Sequence, residues 1–301
     1  MLNSTTSQAT ESSNLSATVF RPQDGKIFDF LGNTLTFKSS DRQDWRFFEA
    51  IGSAGARTPL HTHPWDEGFY ILAGEIDIYI EDQRVSAGPG CCIQIPAGTA
   101  HGSQIRSPHV KLLNWVSDIS AEQFIQEMAQ QSDPLAMLAI RQKYQVLSVA
   151  PEAIDPSRPF SVFQPHQGQV FSVLGDTLTC KSSSSHTQGW RFFELVGAAG
   201  SGAPLHTHPW DAGLYLLAGE IEVQLQDHTV QATPGYCIQI PAGTVHTVQI
   251  RSPQAKLLAW SSDTRAEQCF AELDQAAPAH PDQAIAIRQK HRIAPVQIAV
   301  K

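Results

Sequence analysis

"PLHTHPWDEGFYILAGE", Pro59 to Glu75, recurs as "PLHTHPWDAGLYLLAGE", Pro204 to Glu220. Both copies keep two histidines one residue apart, and the second has Ala212 where the first has Glu67. The likeness runs outward in both directions. Val19 and Phe20 return as Val162 and Phe163, "LGNTLTFKSS" from Leu31 as "LGDTLTCKSS" from Leu174, and "WRFFE" from Trp45 again from Trp190. The offset is 143 residues at first, becomes 145 after two extra residues near Ser184, and reaches 147 at "IRQK", from Ile140 and Ile287. Such long-period self-similarity marks a domain duplicated in tandem. The junction is expected in "SVAPEAIDPSRPF", Ser148 to Phe160, where Pro151, Pro156 and Pro159 interrupt any periodicity. The expected organisation is a flexible tail over 1–17, an N-terminal domain over 18–150 and a C-terminal domain over 151–301. The tail reading rests on eight Ser or Thr among the first 17 residues, with little to bury.

Composition narrows the class of protein. A hydrophobic content of 42% with 17% charge, over 301 residues, suits a soluble globular chain with two cores. The net charge of -8, without clustered Lys and Arg, argues against nucleic acid or an anionic membrane as partner. No run approaches the ~20 apolar residues that span a bilayer. The N-terminus lacks the basic start and apolar run of a secretory signal. Five cysteines, Cys91, Cys92, Cys180, Cys237 and Cys269, form no C-x-x-C pair, which reads as reduced thiols in a cytoplasmic protein. Cys92 and Cys237 stand at matching positions in apolar strands and are expected to be core side chains.

Within each copy the pattern is mainly strand. Ile76, Ile78 and Ile80 alternate with Asp77, Tyr79 and Glu81, and Ile221, Val223 and Leu225 alternate with Glu222, Gln224 and Gln226. A period of two with one apolar face predicts short antiparallel strands, one side buried and the other wet, in a small barrel or sandwich. Each copy closes on helical sequence. Ser120 to Gln131 carries a Ser120/Gln123 capping-box pattern and is expected as outer cover, without chemistry of its own.

His61 and His63, two apart on an extended strand, present both imidazoles to one face. Glu67 follows the turn-prone "PWD", and His101 follows "IPAG". Three neutral imidazoles and one carboxylate suit a divalent first-row transition metal, with positions left for water, oxygen or substrate. The centre would carry a net charge of +1 and favour an enolate or carboxylate. Trp65 and Trp210 are expected to pack at the domain mouth. Arg46 and Arg191 are expected to be solvated or salt-bridged. The other histidines, among them His109, His166 and His186, follow no ligand spacing.

These residues resemble a known family. "GARTPLHTHPWDEGFYILAG" matches the first cupin motif, G-x5-H-x-H-x3-E-x6-G, at Gly55, His61, His63, Glu67 and Gly74. "GCCIQIPAGTAH" matches the second, G-x5-P-x-G-x-x-H, at Gly90, Pro96, Gly98 and His101, with Ile105 where the motif commonly ends in Asn. The second copy supplies Gly200, His206, His208 and Gly219, then Gly235, Pro241, Gly243 and His246. The chain thus resembles the bicupins. The resemblance implies an all-β fold of two tandem antiparallel jelly-roll barrels, each with a short C-terminal helical segment. It implies a first metal site of His61, His63, Glu67 and His101, and a second site of His206, His208 and His246 with no carboxylate. Asp211, out of phase and shorter, is expected to share the turn role of its counterpart Asp66.

By that resemblance the implied function is metal-dependent dioxygenation, quercetinase-like or diketone-cleaving, of an aromatic or enolic small molecule. Glu67 would serve as both ligand and proton acceptor. The expected metal is Fe, Mn, Ni or Zn, and Phe69, Ile71 and Ile93 are expected to line a dry pocket. The alternative is a non-catalytic bicupin that binds or senses a small ligand around a structural metal. Sugar isomerisation requires a more polar cavity, and oxalate-degrading bicupins share only the motifs. The two barrels could pair within the chain as separate cupin subunits do in dimers, leaving monomer or homodimer open.

Overall fold

The computed structural model describes residues 16–150, 154, 158–182, 189–226, 228–276 and 281–296. The tail reading falls outside these except at Ser16 and Ala17, as do part of the Pro-rich connector and His186. The chain is mostly β and antiparallel throughout. Each sequence half forms one seven-stranded and one five-stranded sheet that close into a jelly-roll barrel.

In the first half the large sheet runs, in spatial order, Ser161–Phe163, Cys92–Ile95, Glu67–Ala73, His109–Val116, Arg46–Ser53, Asn33–Phe37 and Lys26–Phe30. The small sheet runs Leu147–Ser148, Arg57–Thr62, His101–Ile105, Ile76–Ile80 and Gln83–Ala87. In the second half the large sheet is Thr18–Phe20, Cys237–Ile240, Ala212–Ala218, Gln254–Ser261, Arg191–Ala198, Asp176–Cys180 and Gln169–Val173. Its small sheet is Thr229–Ala232, Ile221–Leu225, His246–Ile250, His206–Thr207 and Ala294–Pro295.

The edge strands are exchanged. Thr18–Phe20 pairs with Cys237–Ile240, and Ser161–Phe163 pairs with Cys92–Ile95. A division at residue 150 therefore assigns Thr18–Phe20 by sequence to the first half, while its hydrogen bonds extend the sheet of the second. Each exchanged strand covers an otherwise open sheet edge of its neighbour.

The barrels meet back to back over a shared aromatic cluster. Phe47 stacks on Trp260 at 4.4 Å and Trp115 on Phe192 at 3.8 Å between ring centroids, the same contact made twice about the repeat symmetry. Each such pair contributes about 0.5–1.5 kcal/mol beyond area burial. Polar contacts are reciprocal too: Tyr70 donates to Glu194 Oε2 at 2.7 Å, and Tyr215 to Glu49 Oε1 at 3.0 Å. Buried Lys38 and Lys181 pair with Glu49 and Glu194 at 3.5 and 3.2 Å. Cys92 and Cys237 are fully buried in this cluster, and all five cysteines are free and buried. Gly68 and Gly213 allow the close packing, since a Cβ on either would sit 1.9 or 2.1 Å from the ring of Trp115 or Trp260.

Two local readings are corrected. Ile76, Ile78 and Ile80 are buried as expected, but Asp77 and Glu81 on the supposed wet face are only 2% and 4% exposed. Asp77 is held by Arg84 and Arg106 at 2.8 and 3.2 Å, and Glu81 Oε1 accepts the Ala100 amide at 2.9 Å. Their charge is met by partners distant in sequence, which alternation cannot reveal. The helix Ser120–Ala129 has no capping box: Ile119 is its N-cap without a side-chain bond, and Asp118 instead accepts the Ser120 amide at 2.7 Å. A second helix, Pro134–Lys143, follows, and Arg265–Gln275 and Pro281–Lys290 repeat the arrangement. No helix among the described residues is long and apolar enough to cross a membrane.

Candidate metal centre

Strand pairing assembles the first site. His61 lies near the end of Arg57–Thr62, with His63 just beyond it, while His101 opens His101–Ile105 and pairs directly with His61. Glu67 opens the facing strand Glu67–Ala73. The "IPAG" turn is fastened to this region, because the Gly98 amide donates to the His63 carbonyl at 2.8 Å and the Ala97 amide to Asp66 Oδ1 at 2.9 Å. Ring centroids of the three histidines lie 4.4–5.4 Å apart.

The tautomers follow from the backbone. Nδ1 of His61, His63 and His101 lies 2.9 Å from the carbonyls of Pro59, Trp65 and Thr99. A carbonyl only accepts, so each Nδ1 carries the hydrogen and each Nε2 turns a lone pair inward. Glu67 Oε2 sits 2.9 Å from Nε2 of both His63 and His101. Burial, with His101 and His63 adjacent, pushes His61 down to about 3, and burial lowers His63 as well. Inward lone pairs and an ionised carboxylate form a set of acceptors without a donor, which a cation satisfies. The donor set therefore fits a divalent first-row ion.

Asn114 is the functional residue that motif reasoning missed. Its Nδ2 donates to Glu67 Oε1 at 2.7 Å from the adjacent strand His109–Val116. One carboxylate oxygen is thereby held, leaving the other for the histidines. A signal was present in the repeat: "KLLNW" from Lys111 becomes "KLLAW" from Lys256, so Asn114 is Ala259. Glu67 and its amide partner are lost together in the second copy, as Ala212 and Ala259.

The second site keeps the rest. His206, His208 and His246 have ring centroids 4.2–5.6 Å apart, and their Nδ1 atoms meet the carbonyls of Pro204, Trp210 and Thr244 at 2.7–2.9 Å. Asp211 Oδ1 accepts the Ala242 amide at 2.9 Å, as Asp66 accepts Ala97, so it braces the turn. In both triads the ligand atoms lie within 4.8 Å of one another, close enough to hold one ion.

Residues 50–115 and 193–261 each match the cupin domain family, Cupin_2. The chain is similar to quercetin 2,3-dioxygenase of Bacillus subtilis, 22% identical over 277 residues, 80% of either chain. Among solved structures it is similar to the oxalate decarboxylase of Lactobacillus farciminis, with a TM-score of 0.61, 15% identity, and 81% and 86% of the two chains covered. It is also similar to the oxalate decarboxylase of Bacillus subtilis, a protein with Mn(II) centres, with a TM-score of 0.61, 15% identity, and 93% and 89% covered. The chain is a bicupin of the cupin superfamily.

Each barrel of this bicupin encloses a cavity on its histidine face, about 140 Å³ in the first and 170 Å³ in the second. Phe48, Phe69, Phe124, Ile125 and Val146 line the first, with no Lys or Arg on its wall among the described residues. Ile71 and Ile93, expected there, lie instead in the barrel core. Phe124 and Ile125 come from the helix Ser120–Ala129, so that helix forms cavity wall, which amphipathic spacing alone read as cover. Trp65 and Trp210 are buried and stack on His63 and His208 at 4.5 and 4.9 Å, fixing the planes of those rings. Arg46 and Arg191 are salt-bridged, to Glu122 and Glu267. His109 and His166 are exposed and belong to neither triad.

The buried histidines predict an acid response of the metal-free bicupin. His61 and His246 fall from 6.5 to about 3 and His208 to about 4, each first by burial. The unfolded chain takes up protons below 6.5 that the folded sites resist. Stability is therefore full above pH 6.5 and is lost progressively as pH falls toward 3. Thermal melts of chelated protein across that range should show the decline. A melting point flat from pH 7 to 4 would contradict the buried, neutral triads.

Proposed function

We propose that this bicupin is a metal-dependent dioxygenase acting, at its N-terminal centre, on a small enolic or phenolic substrate. The observation that carries the reading is the buried quartet of His61, His63, His101 and Glu67, with Asn114 bound to the carboxylate. The three histidines and Glu67 Oε2 would hold the ion. When bound, a redox-active first-row ion supplies Lewis acidity toward a substrate oxygen and electrons for dioxygen chemistry.

The remaining work belongs to the chain. Trp65 and the carbonyls of Pro59, Trp65 and Thr99 fix the imidazoles. Glu67 Oε2 accepts the proton of a substrate hydroxyl, its Oε1 being held by Asn114. The apolar wall excludes water from the anion so formed. Similarity to a quercetin dioxygenase supports the reaction class. The cavity narrows the substrate: about 140 Å³ is close to the ~150 Å³ apolar cavity that admits one benzene ring. A monocyclic phenol or a small diketone fits it better than a flavonol. A wall without Lys or Arg offers little to a dianion such as oxalate.

The second barrel supports a binding role, since Ala212 offers neither ligand nor base. The test is oxygen uptake by iron-, manganese- or nickel-loaded protein with acetylacetone, catechols and flavonols. Turnover of the smaller compounds is expected. Absence of uptake across that panel, with metal shown to be bound, would sink the reading.

A further inference from the structure

Asn114 has two polar atoms, and Glu67 accounts for one. In the hydrogen bond to Glu67 Oε1 the amide nitrogen donates, so the carbonyl oxygen faces away. The side chain lies on the cavity wall and is 3% exposed. Oδ1 is buried without a hydrogen-bond partner among the described residues. A buried carbonyl left unpaired is costly, and it persists where a ligand completes it. Its cross-strand neighbours Phe48 and Phe69 carry no side-chain donor. In the second barrel, where Glu67 has no counterpart, the orphan acceptor is absent too, because Ala259 stands in its place. Carboxylate and carbonyl thus come and go as a unit.

We infer that Asn114 Oδ1 is a specificity determinant that accepts a hydrogen bond from a second hydroxyl or N–H group on the substrate. Resting on the proposed function above, the inference defines the class more closely. The substrate presents two donors on one edge: one hydroxyl gives its proton to Glu67 Oε2, and the other donates, un-ionised, to Asn114. A substrate with a single hydroxyl leaves Oδ1 unpaired and is bound less well. Sites that hydrogen-bond a substrate hydroxyl reject analogues lacking it for this reason.

The test uses the full chain loaded with zinc, which permits binding without turnover. Dissociation constants of phenol, catechol and resorcinol are read from quenching of tryptophan fluorescence, in wild type and in Asn114→Ala. Alanine is a sound choice because Ala259 occupies the same register in the folded second barrel. Wild type is expected to prefer one dihydroxy compound over phenol, and Asn114→Ala to reduce that preference about tenfold. The comparison between variants separates Asn114 from chelation of the metal by catechol, which would persist in Asn114→Ala. A preference for a second hydroxyl that is absent, or equal in wild type and Asn114→Ala, overturns this inference alone. If none of the three binds to zinc-loaded protein, the phenolic reading of the site falls and the inference with it.

Discussion

Glu67→Ala is expected to lower metal-dependent oxygen uptake by about 10²–10⁴-fold, the range over which a positioned proton acceptor acts. The same change removes the anionic ligand and leaves three imidazoles around an ion of undiminished charge. Metal should therefore still bind, but less tightly. The fold should survive, because Ala212 occupies the equivalent position at the start of Ala212–Ala218 with the same strand register. Glu67→Gln separates two contributions: it retains bulk in the cavity but cannot take a proton. Oxygen-electrode rates, metal analysis and circular dichroism on the two variants check this together. Turnover unchanged in Glu67→Gln would remove the carboxylate from the chemistry and favour the reading of the quartet as a structural or ligand-anchoring centre.

The largest expected stability effect lies at Glu122→Ala. Arg46 is 1% exposed and Glu122 4%, and the two are joined directly beneath the helix that walls the first cavity. Removing the carboxylate strands a guanidinium in the interior, with the Ser40, Gln43 and Trp45 carbonyls left to it among the described residues. Losing one partner of a buried pair costs about 3–5 kcal/mol. Lys26, which also reaches Glu122 at 3.1 Å, loses a contact but remains half exposed and is readily rehydrated. The change should appear as a lowered denaturant midpoint. Glu127→Ala is the control, since its pairing with Lys143 is exposed and screened. Equal midpoints for the two variants would mean that the buried pair contributes no more than a surface one.

Some of this was legible in the residues themselves. The repeat was visible because duplication leaves a fixed offset. His61 and His63 were legible because a strand puts alternate side chains on one face, which is a local rule. Gly74 and Gly219, both at positive φ, mark turns that the motif spacing already implied. Asp211 as a turn brace could be read because Asp66 and Glu67 coexist in the first copy. The Asn114 contribution was written in the contrast of "KLLNW" with "KLLAW", but it acquires meaning only once Glu67 is known to lie on the neighbouring strand.

Asp77 and Glu81 show where local rules fail. Alternation assigned them to water, and arginines and an amide from other segments hold them in the interior. The Ser120–Ala129 helix carries the apolar stripe of any packed helix, and nothing in that stripe says that it faces a cavity. Likewise the strands Thr18–Phe20 and Ser161–Phe163 look alike as sequence, and only pairing assigns each to the other half's sheet.

The amino-acid sequence by itself determined the duplication, the strand character and the identity of the donor atoms, because these depend on residue type and on spacing along one strand. Tertiary structure alone decided which oxygen of Glu67 faces the histidines, that Asn114 holds the other, and which barrel each exchanged strand completes. Those outcomes depend on contacts between segments tens to hundreds of residues apart, whose register is settled by the closing of the barrels.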